Sequence, residues 1–112
     1  MQTLRHTAAF EKAAKVLSNE ELTTALETIA RNPLCGDLIP GTGGVRKLRA
    51  AASGRGKRGG ARVIYFYFDE HNPIYLLYAY AKNRESHLSA AQRNALGKVV
   101  ATIKAEMRER RR

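Results

Sequence analysis

The sequence predicts an α+β fold: an antiparallel sheet of three to four strands with an N-terminal helical hairpin and a C-terminal helix. Apolar residues recur at helical spacing toward both ends of the chain, whereas its middle alternates with a period of two or is β-branched and aromatic. Helices, then strands, then a helix point to helices packed on one face of a sheet, not to alternating βαβ units.

Thr7 caps a short first helix whose apolar positions are Phe10, Ala13, Ala14 and Leu17. Ser18-Asn19-Glu20-Glu21 is a capping box, in which serine and glutamate side chains each satisfy the other's backbone amide. Leu22, Ala25, Leu26, Ile29 and Ala30 then make one stripe, ended at Asn32-Pro33 because a residue before proline is driven out of the helical region. Residues 2–5 read as a short edge strand. After Pro40 the texture turns to glycine and then to extended chain. Val45–Ala50 alternates, so Lys47 and Arg49 share one face with Val45 while Arg46, Leu48 and Ala50 share the other. Residues 53–60 form a loop of glycines and cations, and residues 62–68 a strand. Asp69-Glu70-His71-Asn72-Pro73 is turn chemistry. Ile74–Ala81 is apolar almost throughout, as in a central strand covered on both faces. Ser89-Ala90-Ala91-Gln92 is a second capping box, opening a helix with Leu96, Val99, Val100, Ile103 and Met107 along one side.

At 112 residues one core can be filled, so residues 1–112 are expected to be a single domain. With 44% hydrophobic and 27% charged residues the composition is that of a globular, soluble chain. The single Cys35 excludes an internal disulfide and fits a reducing compartment. The longest apolar runs, residues 63–68 and 74–81, are far below the ~20 residues of a membrane helix, and residues 1–10 lack the apolar block of a secretory signal. A cytoplasmic location is expected.

Charge is the abnormal quantity: 20 Lys+Arg against 10 Asp+Glu give +10, which suits a polyanionic partner. The excess is local. Residues 41–62 hold Arg46, Lys47, Arg49, Arg55, Lys57, Arg58 and Arg62 with no acid, interleaved with glycines that let backbone amides approach phosphate. The basic end, residues 108–112, reads as a solvated terminus.

Gly54-Arg55-Gly56-Lys57-Arg58-Gly59 matches the dinucleotide fingerprint only formally, since a strand and not a helix follows it. Gly41-Thr42-Gly43-Gly44-Val45-Arg46-Lys47 lacks the ending of a phosphate-binding P-loop. Asp69 and Glu70 are adjacent but sit in a turn, and Cys35, His6, His71 and His87 have no ligand spacing, so no metal and no cofactor are expected. The five tyrosines, Tyr65, Tyr67, Tyr75, Tyr78 and Tyr80, read as strand core before they read as base-stacking surfaces.

Gly41-Thr42-Gly43-Gly44-Val45-Arg46-Lys47-Leu48-Arg49, followed by the glycine and cation stretch to Arg62-Val63-Ile64-Tyr65, closely resembles HigB-like toxins of the RelE/ParE superfamily. The likeness extends over the helical hairpin, Tyr80-Ala81-Lys82-Asn83 and the helix opened by Ser89. The resemblance implies a RelE-like fold and a toxin of a bacterial type II toxin–antitoxin module, a ribosome-dependent mRNA interferase that cleaves mRNA in the ribosomal A site. Its partners would then be the ribosome, mRNA and a helix-turn-helix, HigA-like antitoxin encoded next to it. Matched onto this chain, the basic pair on one strand is Lys47 and Arg49, the strand-opening arginine is Arg62 and the basic residue after the last strand is Lys82. The chain departs from RelE in having no tyrosine beyond Tyr80; Ser89, with His87 nearby, stands at that place.

Metal-free RNA cleavage by 2′-OH attack needs a stabilised phosphorane and two proton transfers. Arg62 suits the phosphorane, because a guanidinium is always charged and binds two phosphate oxygens at once. Lys47, Lys57 or Lys82 would share acid and base work, and Tyr80, on the strand face of Lys82, would position the nucleophile. Arg46, Arg55, Lys57 and Arg58 would bind RNA and ribosome. The rival readings are a ParE-like gyrase inhibitor without nuclease activity and a non-catalytic RNA-binding module.

Overall fold

The computed structural model describes residues 2–50, 60–81 and 88–110. In chain order they form β1 (Leu4–His6), α1 (Ala8–Ala13), a 3-10 turn (Ala14–Val16), α2 (Asn19–Arg31), β2 (Asp37–Leu38), β3 (Val45–Ala50), β4 (Ala61–Phe66), β5 (Ile74–Ala81) and α3 (Ala90–Arg110). The strands make one sheet in the order β1-β5-β4-β3-β2.

Each helical start follows its sequence signal. Thr7 accepts the Phe10 amide at 3.1 Å and caps α1. In the box at α2, Ser18 Oγ accepts the Glu21 amide at 3.1 Å while Glu21 Oε1 accepts the Ser18 amide at 2.7 Å. Ser89 and Gln92 exchange the same pair of bonds ahead of α3.

The sheet holds five strands instead of three to four, and it is mixed. β3, β4 and β5 are antiparallel as expected, whereas β1 runs parallel to β5 and the two-residue β2 adds an outer edge beside β3. The edge strand read at residues 2–5 is present as β1, shifted to Leu4–His6, while the two-residue β2 has no period long enough to show in a sequence. Helices also cover both faces, not one. Phe10, Leu17, Ala25 and Ile29 pack with Val63, Tyr65 and Leu76 on one side of the sheet. Leu96, Val100, Ile103 and Met107 of α3 pack with Val45, Phe66, Tyr75 and Leu77 on the other. The cause lies in β5: a strand apolar on both faces needs two covers, and one layer of helices supplies one.

The register shifts between β4 and β5 beside Ile64 and Tyr65, where Ile64 pairs with Tyr78 but Tyr65 pairs with Leu76. This bulge breaks the alternation of β5, so that Leu77 and Tyr78 both join the α3 side. It also carries Tyr80 to the face of Arg62.

Candidate nucleic-acid interface

Strand register assembles the site. On the α3 face of the sheet, Arg49 lies opposite Arg62, which lies opposite Tyr80 on the far side of β4. One step along, the same face holds Lys47, Ile64 and Tyr78, and the next step holds Val45, Phe66 and Tyr75. Neighbouring strands are ~4.8 Å apart, so Arg49, Arg62 and Tyr80 form a row about 10 Å wide. The carboxyl-terminal half of α3 is fastened at the opposite end of these strands: Lys104 Nζ donates to the Gly43 carbonyl at 2.9 Å and lies 5.8 Å from the Phe66 ring centre, and Arg110 donates to the Tyr75 hydroxyl.

Arg49 is exposed, Lys47 and Arg62 are half-buried, and Tyr80 is only 3% exposed, part of the core beneath α3. Arg62 Nη1 makes a long 3.4 Å contact with the Ala61 carbonyl. His71 Nε2 with Glu70 Oε1 at 3.6 Å, the nearest thing to an ion pair, is in the β4–β5 turn, and among the described residues no carboxylate lies in ion-pair contact with this row. Gly60 leaves room between its cations. A Cβ there would lie 3.6 Å from Arg62 Nη1, 3.7 Å from the Ala50 carbonyl oxygen and 3.9 Å from Arg49 Nε, ordinary contact distances, so both guanidiniums border the methyl-sized space over Gly60. The exposed Arg49 and the half-buried Arg62, with no described carboxylate in an ion pair with either, form a cationic pair that a phosphate group can bridge.

Lys47 also lines a cleft of about 550 Å³ with Arg93, Asp37 and Leu88. Arg93, which the reading of the sequence did not single out, donates to the Leu88 carbonyl at 2.8 Å and adds a cation on the α3 side of the cleft. Asp37 is the one acid among its described lining residues, set across from Lys47 between β2 and β3.

Arg46 is parted from this group. It lies on the other face, where its Nη1 donates to the Gly36 carbonyl at 2.7 Å and the Leu34 carbonyl at 3.3 Å. Together with Tyr65 it anchors the loop after α2. The Tyr65 hydroxyl donates to the Pro33 carbonyl at 2.7 Å and accepts the Gly36 amide at 2.8 Å. Burial, reinforced by the Cys35 thiol, pushes the pKa of this hydroxyl well up, which keeps its donor proton in place. Tyr65 and Tyr75 are core, as expected of strand tyrosines. Asp69 is a turn residue: its Oδ1 accepts the amides of His71 and Asn72 and the Asn72 side chain. The first glycines of the basic stretch shape a turn. Gly43 and Gly44 have φ of 79° and 122°, and the buried Thr42 hydroxyl closes that turn by donating to the Ile39 carbonyl and accepting the Val45 amide. Arg55, Lys57, Arg58, Lys82 and His87 lie outside the described residues.

Comparison with known proteins bears on this arrangement. The family model described as the RelE toxin of the RelE / RelB toxin–antitoxin system matches residues 2–111. Among solved structures, a doubly arginine-to-alanine substituted mutant of the E. coli toxin RelE in the free state is 17% identical, covers 76% of this chain and 87% of its own, and superposes with a TM-score of 0.55. The toxin–antitoxin complex RelBE2 of Mycobacterium tuberculosis contains a chain 22% identical, covering 71% of this one and 96% of its own, with a TM-score of 0.48. The E. coli structure shares the fold, a sheet flanked by helices, and the family match spans nearly every residue. The chain belongs to the RelE family of toxins.

Proposed function

We propose that this chain is the toxin of a type II toxin–antitoxin module and acts as a ribosome-dependent endoribonuclease that cuts mRNA in the A site, inhibiting translation. The observation that carries the reading is the row in which Arg49 and Arg62 face each other across two strands beside Tyr80, with no described carboxylate in an ion pair with either arginine and with Lys47 one step along the same face.

The chemistry is proton transfer and charge stabilisation. The 2′-OH loses its proton and attacks the adjacent phosphorus, giving a phosphorane with an added negative charge. The bond to the 5′-oxygen then breaks, and that oxygen takes up a proton. The products are a 2′,3′-cyclic phosphate and a 5′-hydroxyl. Arg62 and Arg49 flank the volume over Gly60, where two guanidiniums can bind the non-bridging oxygens. Lys47, with Lys57 and Lys82, shares the proton transfers, whereas Tyr80, expected from the sequence to position the nucleophile, is closed into the core and serves as the wall beside Arg62. Arg93 and Lys47 hold the RNA backbone along the cleft, an added role for α3. Arg55, Lys57 and Arg58 extend that contact, while Arg46 serves it indirectly by fixing the loop that ends at β2.

A site made of cations and a tyrosine supplies charge but little orientation. Holding the message in attack geometry on the ribosome would add roughly 7–11 kcal/mol of the barrier reduction, which accounts for a requirement for ribosomes. The test uses translating ribosomes with the purified protein. Cleavage in the A-site codon, a 2′,3′-cyclic phosphate end, persistence at chelator levels that leave ribosomes intact, and poor cutting of naked mRNA support the reading. Intact mRNA together with gyrase trapped on DNA would replace it with the ParE-like one, and binding to ribosomes without cleavage would leave an RNA-binding module.

A further inference from the structure

The cleft beside the cationic row holds a group that phosphate binding does not explain. Among its described lining residues Lys47 and Arg93 are cations, but Asp37 is an acid, and a carboxylate where a polyanion binds weakens that binding. Asp37 does not serve the cations as a partner either. It is register-paired with Lys47, yet among the described residues it joins neither cation in an ion pair, and Arg93 donates instead to the Leu88 carbonyl. Its place in the chain is nonetheless fixed from both sides. Arg46 holds the Gly36 carbonyl at 2.7 Å just before it. Just after it, the Ile39 amide donates to the Val45 carbonyl at 2.9 Å, and the Ile39 carbonyl accepts the Thr42 hydroxyl at 2.7 Å. Ile39 packs on the core beneath α3 and, with Pro40 and the buried Leu88, gives the cleft apolar walls. The result is a preformed space of about 550 Å³ with apolar sides, two cations and one group that only accepts hydrogen bonds. Phosphate needs the cations alone. A nucleotide whose base enters the cleft uses all three features.

Resting on the nuclease reading above, we propose that this cleft seats one base of the message and that Asp37 selects guanine there. An ionised carboxylate offers two acceptor oxygens and no donor. Guanine alone among the four bases presents two adjacent donors, N1–H and N2–H, on one edge, so both oxygens are used at once. Adenine and cytosine set a ring acceptor beside their amino group, and uracil flanks its ring N–H with two carbonyls. Each of these turns a lone pair toward the carboxylate. Ile39, Pro40 and Leu88 lie against the ring, while Lys47 and Arg93 hold the backbone alongside. Lys47 and Arg49 are two residues apart on β3, ~7 Å, so the seated base belongs to a nucleotide next to the phosphate held by Arg49 and Arg62.

Programmed ribosomes carrying messages that differ only at the bases flanking the cut test this. Guanine at one of those positions is expected to be cut about tenfold or more faster, in kcat/KM, than adenine, cytosine or uracil there. Inosine keeps N1–H and lacks the 2-amino group, and is expected to fall between. Asp37→Asn turns one acceptor into a donor on an exposed side chain, so it is expected to melt with the parent while bringing the guanine rate down to the adenine rate. Its affinity for RNA without guanine should not fall, since an acid has been removed and no cation. Equal parental rates on all four bases, or a guanine preference that survives in Asp37→Asn, overturns the inference and leaves the nuclease reading standing. If no message is cut, the nuclease reading fails by itself, and binding of uracil oligomers with a single guanine, inosine or adenine to the free chain reads the cleft directly. Affinity graded in that order and levelled in Asp37→Asn supports the base site, and equal affinity overturns it.

Discussion

Replacing Arg62 by alanine separates catalysis from folding by a calculable margin. Its guanidinium makes one long contact, 3.4 Å to the carbonyl of its own neighbour Ala61, and faces no described carboxylate. Truncation therefore strands no buried partner, and the stability change is expected within about 0.5 kcal/mol. With ~2.1 cal/mol/K of unfolding entropy per residue, the whole chain has about 0.24 kcal/mol/K, so Tm moves by ~2 °C at most. The rate is another matter. A donor aimed at charge that develops in the transition state is worth about 2.7–4 kcal/mol, or 10²–10³ in rate. Arg62→Lys keeps the charge and loses the fork, and falls between the two. Arg49→Ala flanks the same volume over Gly60, so the double variant loses less than the product of the single losses. The assay is single-turnover cleavage on programmed ribosomes, read beside a thermal melt and ribosome co-sedimentation. Cleavage by Arg62→Ala at the parental rate refutes the role, and a rate loss that simply follows a fall in Tm refutes it equally.

Other outcomes follow from the same geometry. Affinity for RNA should fall linearly on a log–log plot against salt, each neutralised phosphate contributing about −0.7 to −0.9 to the slope; Lys47→Gln should flatten it by about one phosphate, and a parental slope near zero would remove the basic cleft from the mechanism. Tyr65→Phe leaves the Gly36 amide without its acceptor and should cost about 1–3 kcal/mol, seen as a Tm lowered by roughly 4–12 °C, with cleavage below the transition unchanged. The Asn72 side chain, with the amides of His71 and Asn72, holds the Asp69 carboxyl below its ordinary value near 3.8. Its stabilisation is therefore complete above that value and lost as pH falls through the lower folded one, so the protection of the His71 and Asn72 amides, relative to their intrinsic exchange rates, should fall in that acid range and not between pH 5 and 8.

What was legible in the sequence was local. Ser18 with Glu21 and Ser89 with Gln92 announce two helices through four adjacent residues each, and the bonds are made as the pattern requires. β3, β4 and β5 show because period and composition act over six to eight residues. An edge strand is legible at residues 2–5, but the parallel pairing of β1 with a segment 70 positions away is a contact no local window contains. The placement of α3 is a related case. Its apolar stripe shows that it is buried against something, but only the two-sided apolar character of β5 indicates which face, and that character is a demand for cover and not an address.

The site divides along the same line. Alternation alone puts Lys47 and Arg49 on one face and Arg46 on the other; counting charge without alternation is what groups all three. The meeting of Arg62 with Tyr80 needs more, since Tyr75 and Tyr80 have opposite parity along β5 and share a face only because of the bulge beside Ile64. Arg93 left a different kind of trace. The capping box starts α3 at Ala90, which places a cation at the positive end of the helix dipole, with no acid in the first turn to offset it. Such a residue works against its own helix by some tenths of a kcal/mol. A local choice that opposes local stability marks a place where another requirement sets the residue, and in this molecule that place is the wall of the cleft facing Lys47.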